Sequence, residues 1–193
     1  MTMTDIEKVF ADFNEICKRN LQEKDHEKIK EAFDYVFEIF GDDTWATGEV
    51  IVEHSIEVAK IVVQEVGLGV DSVLAALLHN VYYKAENIRE VETRFGNQIT
   101  SILDGMAKIN ALGTDTVELH SENYRKLMLA MAGDVRVILV KIADRLQVMR
   151  HLDTQEDAIK TKISSETSHL YAPLAHRLGL YYINSELLDL CLQ

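Results

Sequence analysis

Three side chains that can bind a metal interrupt apolar stretches of this chain. His54 follows Val-Ile-Val-Glu, His79 follows Leu-Ala-Ala-Leu-Leu, and Asp144 follows Val-Ile-Leu-Val-Lys-Ile-Ala. Burying an imidazole or a carboxylate is costly unless it is hydrogen-bonded, paired or bound to a metal. Three such groups on separate predicted helices point to a shared site. Two imidazoles with carboxylates suit a divalent transition ion, manganese or iron, with zinc as a further choice. Such an ion would polarise a phosphoryl oxygen and lower the pKa of a bound water, the chemistry of a metal-dependent phosphohydrolase. The residue after His79, however, is Asn80. Its side chain is neutral and offers a metal only an amide oxygen, a weak ligand. The competing reading is structural: His54, His79 and Asp144 hydrogen-bond among themselves and with neighbours in the core, and Asn80 bridges that network without metal.

The elements that must carry these residues are helical. There is one proline, Pro173, and there are nine glycines, a scarcity of turn residues that suits helices. Thr4 with Glu7 is a capping-box pattern ahead of a helical stripe through Cys17. A second helix is predicted from near Asp25, buried along Ile29, Phe33, Val36, Phe37 and Phe40 and stopped by Gly41. Residues 41–49 read as a loop. A third helix runs from about Val50 to Val66 and stops at Gly67. Asp71 caps a fourth that is apolar on most of its circumference and so central to the core. Asn87 with Glu90 opens a short helix closed by Gly96, and 98–109 is helical again. Residues 110–118 are the most polar irregular segment and the candidate mobile loop, and helix resumes from Leu119 to before Gly133. Asp134 caps the helix that carries Asp144, and Asp153 with Glu156 opens one reaching about His176. The expected architecture is all-α, a bundle of about nine to eleven helices in a single domain over residues 1–193.

Composition narrows the function. Hydrophobic residues are 47% and charged residues 27%, which is ordinary for a soluble folded domain and argues against disorder. The net charge of −12 excludes a generally basic nucleic-acid surface. No apolar run approaches the roughly 20 residues of a membrane helix. Cys17 and Cys191 belong to no pairing motif, and a cytoplasmic location with reduced thiols is expected. The final stretch from Tyr181 to Gln193 is amphipathic and stops without a capping glycine, so a longer natural protein is expected.

Whole segments also resemble a known family. GEVIVEHSIEVAKIV, AALLHNVYYKAENI, FGNQITSILDGMAKI, ENYRKLMLAMAGDVRVILVKIADRLQVMR and ETSHLYAPLAHRLGLYYINSELLDL are similar to successive blocks of the N-terminal hydrolase domain of the RelA/SpoT homologues. Those proteins make and degrade guanosine polyphosphate alarmones. The resemblance covers roughly residues 25–193 and implies an HD-type helical bundle followed by a synthetase domain. It implies metal ligands at His54, His79 and Asp144, and it puts Asn80 where the family has the aspartate of its His-Asp pair. The family's Glu-Asp pair, which serves the attack on the 3′-pyrophosphate, falls on Tyr83 and Lys84. Its nucleotide-gripping Arg-Lys pair falls on Trp45 and Ala46. Its His-Asn after Asp-Arg-Leu falls on Gln147 and Val148. Metal charge, acid–base carboxylates and phosphate-gripping cations are thus all missing, while the helical framework is retained.

Three functions follow as expectations. The first is a catalytically degenerate hydrolase-like domain with no metal cofactor, which regulates an adjoining C-terminal synthetase domain. The second is a working manganese-dependent 3′-pyrophosphohydrolase in which Asn80 still helps hold the metal and Asp42, Asp43, Glu49 or Glu86 supplies a carboxylate. The third is a module that senses a guanine nucleotide without turnover. Arg145 and Arg150, with positions 45 and 46, are candidate nucleotide contacts. Arg125, Lys126, Arg136 and Lys141 are expected to pair with acids or helix ends.

Overall fold

The computed structural model describes residues 3–111 and 133–192. The candidate mobile loop, apart from Asn110 and Ala111, and the predicted helix from Leu119 lie outside the described residues. Two compact units emerge, Met1–Ala107 and Lys108–Gln193. Among the described residues there is no strand, only an isolated antiparallel bridge between Thr44 and Val50, and the all-α reading holds. No helix among them is long and apolar enough to cross a membrane.

The first unit is built from α1 (Met3–Asn20), α2 (His26–Phe40), α3 (Ile51–Ile61), α4 (Val70–Tyr82) and α5 (Ile88–Phe95), with α6 (Asn97–Asn110), which from Lys108 onward belongs to the second. α4 is the centre: α2 and α3 both pack on it, and α1 packs on α3. Every residue from Ser72 to His79 is buried, so this helix has no solvent stripe in its middle. α1 and α2 are joined through Phe10, whose ring stacks on Phe33 with centroids 3.8 Å apart. α3 ends in a π-helical turn, Val62–Val66, closed by Gly67 at φ 79°. A left-handed backbone there would strain any residue with a Cβ.

The second unit holds α7 (Val135–Arg150), α8 (Asp157–Glu166), α9 (Ala172–Arg177) and α10 (Tyr181–Leu190). Between α8 and α9 lies a second π-helical turn, Thr167–Tyr171, in which the Ala172 N–H reaches back five residues to the Thr167 carbonyl. Pro173 accounts for it. Proline has no N–H to give, and its ring would collide with the carbonyl four residues back in a regular α-helix, so the turn before it widens. The helix expected to run unbroken to His176 is therefore interrupted. His176 and Tyr181 meet edge to face at 5.3 Å where α9 turns into α10.

Some expected caps are displaced. α4 is capped at Gly69, which leaves Asp71 inside its first turn. Asn87 does precede α5, but its amide turns back to the Val81 carbonyl at 3.4 Å. Asp153 falls in a 3₁₀ turn and Glu156 takes the cap of α8. Asp134 caps α7 as expected: its Oδ1 accepts from the Arg136 N–H at 2.9 Å, and its carboxylate is forked by the Arg136 guanidinium.

Two substitutions test this framework. Leu78→Ala should leave a cavity in α4 and cost about 2–5 kcal/mol in urea unfolding, whereas a cost near zero would mean that α4 is not the core helix. Asp134→Ala should cost about 1 kcal/mol at neutral pH. The Arg136 side-chain bond holds the Asp134 carboxyl below its ordinary value. Its contribution is therefore present above the ordinary carboxylate pKa and is lost as pH falls through the lower folded value. The gap between the two proteins should close in that acid range.

Candidate functional site

His54 stands on α3 and His79 on α4, and the packing of those helices brings their rings together with centroids 5.4 Å apart. Both are almost sealed from solvent, at 3% and 1% exposure. The His79 Nδ1 lies 2.6 Å from the Ala76 carbonyl. A carbonyl can only accept, so Nδ1 carries a proton, and in the neutral ring Nε2 keeps the lone pair. That is the tautomer of a metal-binding histidine anchored through its other nitrogen. On the loop before α3, the Glu49 Oε1 lies 3.5 Å from the His54 Nδ1.

Asn80 points its amide the other way. Its Nδ2 donates to the Ser55 Oγ at 3.2 Å, and the Ser55 hydroxyl donates in turn to the Ile51 carbonyl at 3.2 Å. Ser55 has one proton, and it is directed at Ile51. What it offers Asn80 is a lone pair, which an amide N–H can use and an aspartate cannot. The amide thus serves as a donor inside the α3–α4 pair.

Aromatic rings surround the histidines. Trp45 meets His54 edge to face at 4.8 Å, and Tyr83 meets His79 edge to face at 5.7 Å. The Lys84 ammonium lies over the Phe40 ring, 4.3 Å from its centroid. Ala46 is exposed on the loop. The Tyr82 hydroxyl donates to the Asp104 Oδ1 at 2.5 Å. Burial, with Asp104 adding to it, pushes this phenol far above its ordinary range.

Asp144, Arg145 and Arg150 belong to the second unit. The Lys141 Nζ donates to the Asp144 Oδ2 at 2.5 Å and to the Asn110 Oδ1 at 2.8 Å. Arg145 donates to Glu166 at 2.7 Å and covers the Tyr171 ring at 4.4 Å. Burial opposes its charge, but Tyr171 and Glu166 outweigh burial and raise its pKa. Arg150 grips Glu186 with two bonds of 2.7 and 2.9 Å. Gln147 is buried, its Nε2 3.2 Å from the His151 Nδ1.

The first unit therefore gathers His54, His79, Asn80, Trp45 and Tyr83, while Lys84 is turned to Phe40. Sequence reasoning missed Ser55 and the Tyr82–Asp104 bond, whereas Lys141 pairs with an acid as expected, Asp144 three residues on along the same helix. As a donor set, two neutral imidazoles and one neutral amide suit a soft or borderline ion. They lack the hard anionic oxygens that manganese prefers.

Comparison with known proteins follows the same lines. The family model described as HD domain matches residues 32–181. A guanosine-3′,5′-bis(diphosphate) 3′-pyrophosphohydrolase of Vibrio cholerae is 35% identical over 94% of this chain and 26% of its own length. The bifunctional (p)ppGpp synthase/hydrolase SpoT of Escherichia coli is 33% identical over the same shares. A GTP pyrophosphokinase of Myxococcus xanthus is 37% identical over 84% of this chain and 22% of its own length. The chain spans about a quarter of the length of the relatives it matches.

The Asn80–Ser55 bond has its own test. In a double-mutant cycle of Asn80→Ala and Ser55→Ala, read by urea unfolding, a coupling of roughly 0.5–1.5 kcal/mol is expected. Additive effects would show that the bond does not matter to the fold.

Proposed function

The chain belongs to the HD-domain family, of the kind found in the RelA/SpoT homologues, and we propose that it is a member in which alarmone hydrolysis has been lost. In this reading it is the hydrolase-like part of a longer guanosine polyphosphate synthetase and regulates the adjoining synthetase domain. The observation that carries the reading is the Asn80 side chain, which carries no charge and gives its Nδ2 proton to Ser55. Three further features support it. The acid pair is replaced by Tyr83 and Lys84, one ring-packed on His79 and the other over Phe40. Trp45 packs its ring on His54 where the resemblance places a cation, and Ala46 beside it carries no charge. Arg145 and Arg150 are paired with Glu166 and Glu186.

Magnitudes favour silence. General acid–base groups contribute about 10²–10⁴-fold, so their loss alone reduces turnover severely. A bound divalent ion would supply an activated water, with His54 and His79 as its nitrogen ligands. The neutral amide beside them does not fit the manganese that the resemblance implies.

One observation favours the second reading, a working hydrolase with an altered site. The Glu49 carboxylate reaches within 3.5 Å of His54 and could lend the missing charge.

The deciding experiment incubates the purified chain with guanosine tetraphosphate and manganese and follows pyrophosphate release. No release above the metal-only background is expected. Release that disappears in Glu49→Gln would establish the second reading. Asn80→Asp by itself is expected to leave the chain inactive, because Tyr83, Lys84, Trp45 and Ala46 remain. Recovery of turnover by that one change would overturn the account.

A further inference from the structure

A cleft of about 370 Å³ lies wholly within the second unit, between the ends of α7 and α10 and one face of α8. That is near the lower end of small-ligand sites, roughly 300–1,000 Å³. Its apolar side is made by Met149, Leu152 and Leu190. Met149 and Leu152 are buried, and the Met149 sulfur rests 3.3 Å from the Thr167 Oγ1. The polar side is Asp153 and a stripe of α8 at helical spacing, Asp157, Lys160, Thr161 and Ser164. The Cys191 thiol donates to the Ser164 carbonyl at 3.4 Å and so ties the end of α10 to α8. None of the ten residues of α8 is buried. A helix that short without a packed face is marginal by itself.

The polar groups of the cleft are ordered by charge. Asp153 and Asp157 bring two carboxylates, Lys160 brings an ammonium one turn after Asp157, and the Ser164 hydroxyl follows another turn on. Among the described residues, no ion pair or side-chain hydrogen bond engages Asp153, Asp157 or Lys160. Thr161 gives its proton to the Asp157 carbonyl at 2.9 Å, so its oxygen is left as an acceptor. We infer that this cleft binds a small zwitterion with an apolar body, an α-amino acid with an aliphatic, thioether or aromatic side chain. Its ammonium meets Asp153 and Asp157, with the Thr161 oxygen as a further acceptor. Its carboxylate meets Lys160 and the Ser164 hydroxyl. Its side chain lies on Met149, Leu152 and Leu190. Asp157 and Lys160 are three residues apart, about 4.5 Å along the helix axis, a spacing that suits opposite charges attached to one carbon. A purely cationic ligand would be opposed by Lys160, and a purely anionic one by both carboxylates. The bound side chain supplies α8 with the packing partner it lacks.

Calorimetric titration of the whole chain tests this with L-leucine, L-methionine and L-phenylalanine. At least one of the three should bind one to one. Glycine, which has no side chain, should bind about tenfold more weakly or not at all, and so should the N-acetyl and amide derivatives of the ligand that binds. Asp157→Asn and Lys160→Met should each weaken binding by about tenfold or more, with unchanged circular dichroism in the absence of ligand. Bound ligand should also slow alkylation of Cys191. Should either variant fail to fold, the N-acetyl and amide derivatives decide. Absence of binding by all three amino acids overturns the inference. So does equal binding of glycine or of either derivative, full affinity in both variants, or alkylation of Cys191 at the same rate with ligand bound.

Discussion

Asn80 gives an amide proton to Ser55 across the α3–α4 interface, and Ser55 has already turned its own proton to Ile51. This short relay sets the chemistry of everything around it. It needs a donor at position 80, and a carboxylate has none at neutral pH. Reinstating an aspartate would oppose its lone pairs to those of the serine unless that hydroxyl rotated away from Ile51. The residue that removes an anion from the site is thus also part of the packing that holds two core helices in register. The neutral side chain and the structural bond are two sides of one residue choice at this position.

The surrounding substitutions share that character. Where a hydrolase would place charges around its histidines, this chain places rings, Trp45 on His54 and Tyr83 on His79. Edge-to-face contacts of this kind contribute about 0.5–1.5 kcal/mol beyond simple burial, so the rings at these positions contribute to packing. The cations behave alike: Lys84 covers Phe40, Arg145 is shared between Glu166 and Tyr171, and Lys141 answers Asp144. In the proposed reading, cations paired within the fold in this way are poorly placed to grip a polyphosphate.

Much of the fold was legible from apolar spacing alone. The stripe through Ile29, Phe33 and Phe40 and the nearly continuous burial of α4 follow from residue order, and Gly41, Gly67 and Gly96 do end their helices. The departures have local causes. A capping aspartate is recognised by type, but the choice between Gly69 and Asp71 depends on where the chain enters α4. Pro173 was visible, yet the π-helical turn that relieves it is a backbone adjustment with no residue code of its own. At the site, the identities of His54, His79 and Asn80 were readable. Their partners were harder: Ser55 and Asn80 are 25 residues apart and meet only because α3 and α4 pack in one particular register. Tyr82 stands beside Tyr83 and Lys84 at the end of α4, where nothing in the residue order marks it as buried, and the turn of the helix points its hydroxyl at Asp104.

The account stands on the claim that an amide in place of a carboxylate leaves these two histidines without a tightly held ion. Elemental analysis by mass spectrometry addresses it most directly, on the chain purified without chelator from manganese-supplemented cells. The account predicts manganese far below one ion per chain, unchanged by His79→Ala. A stoichiometric ion that survives purification and is lost in His79→Ala would contradict it.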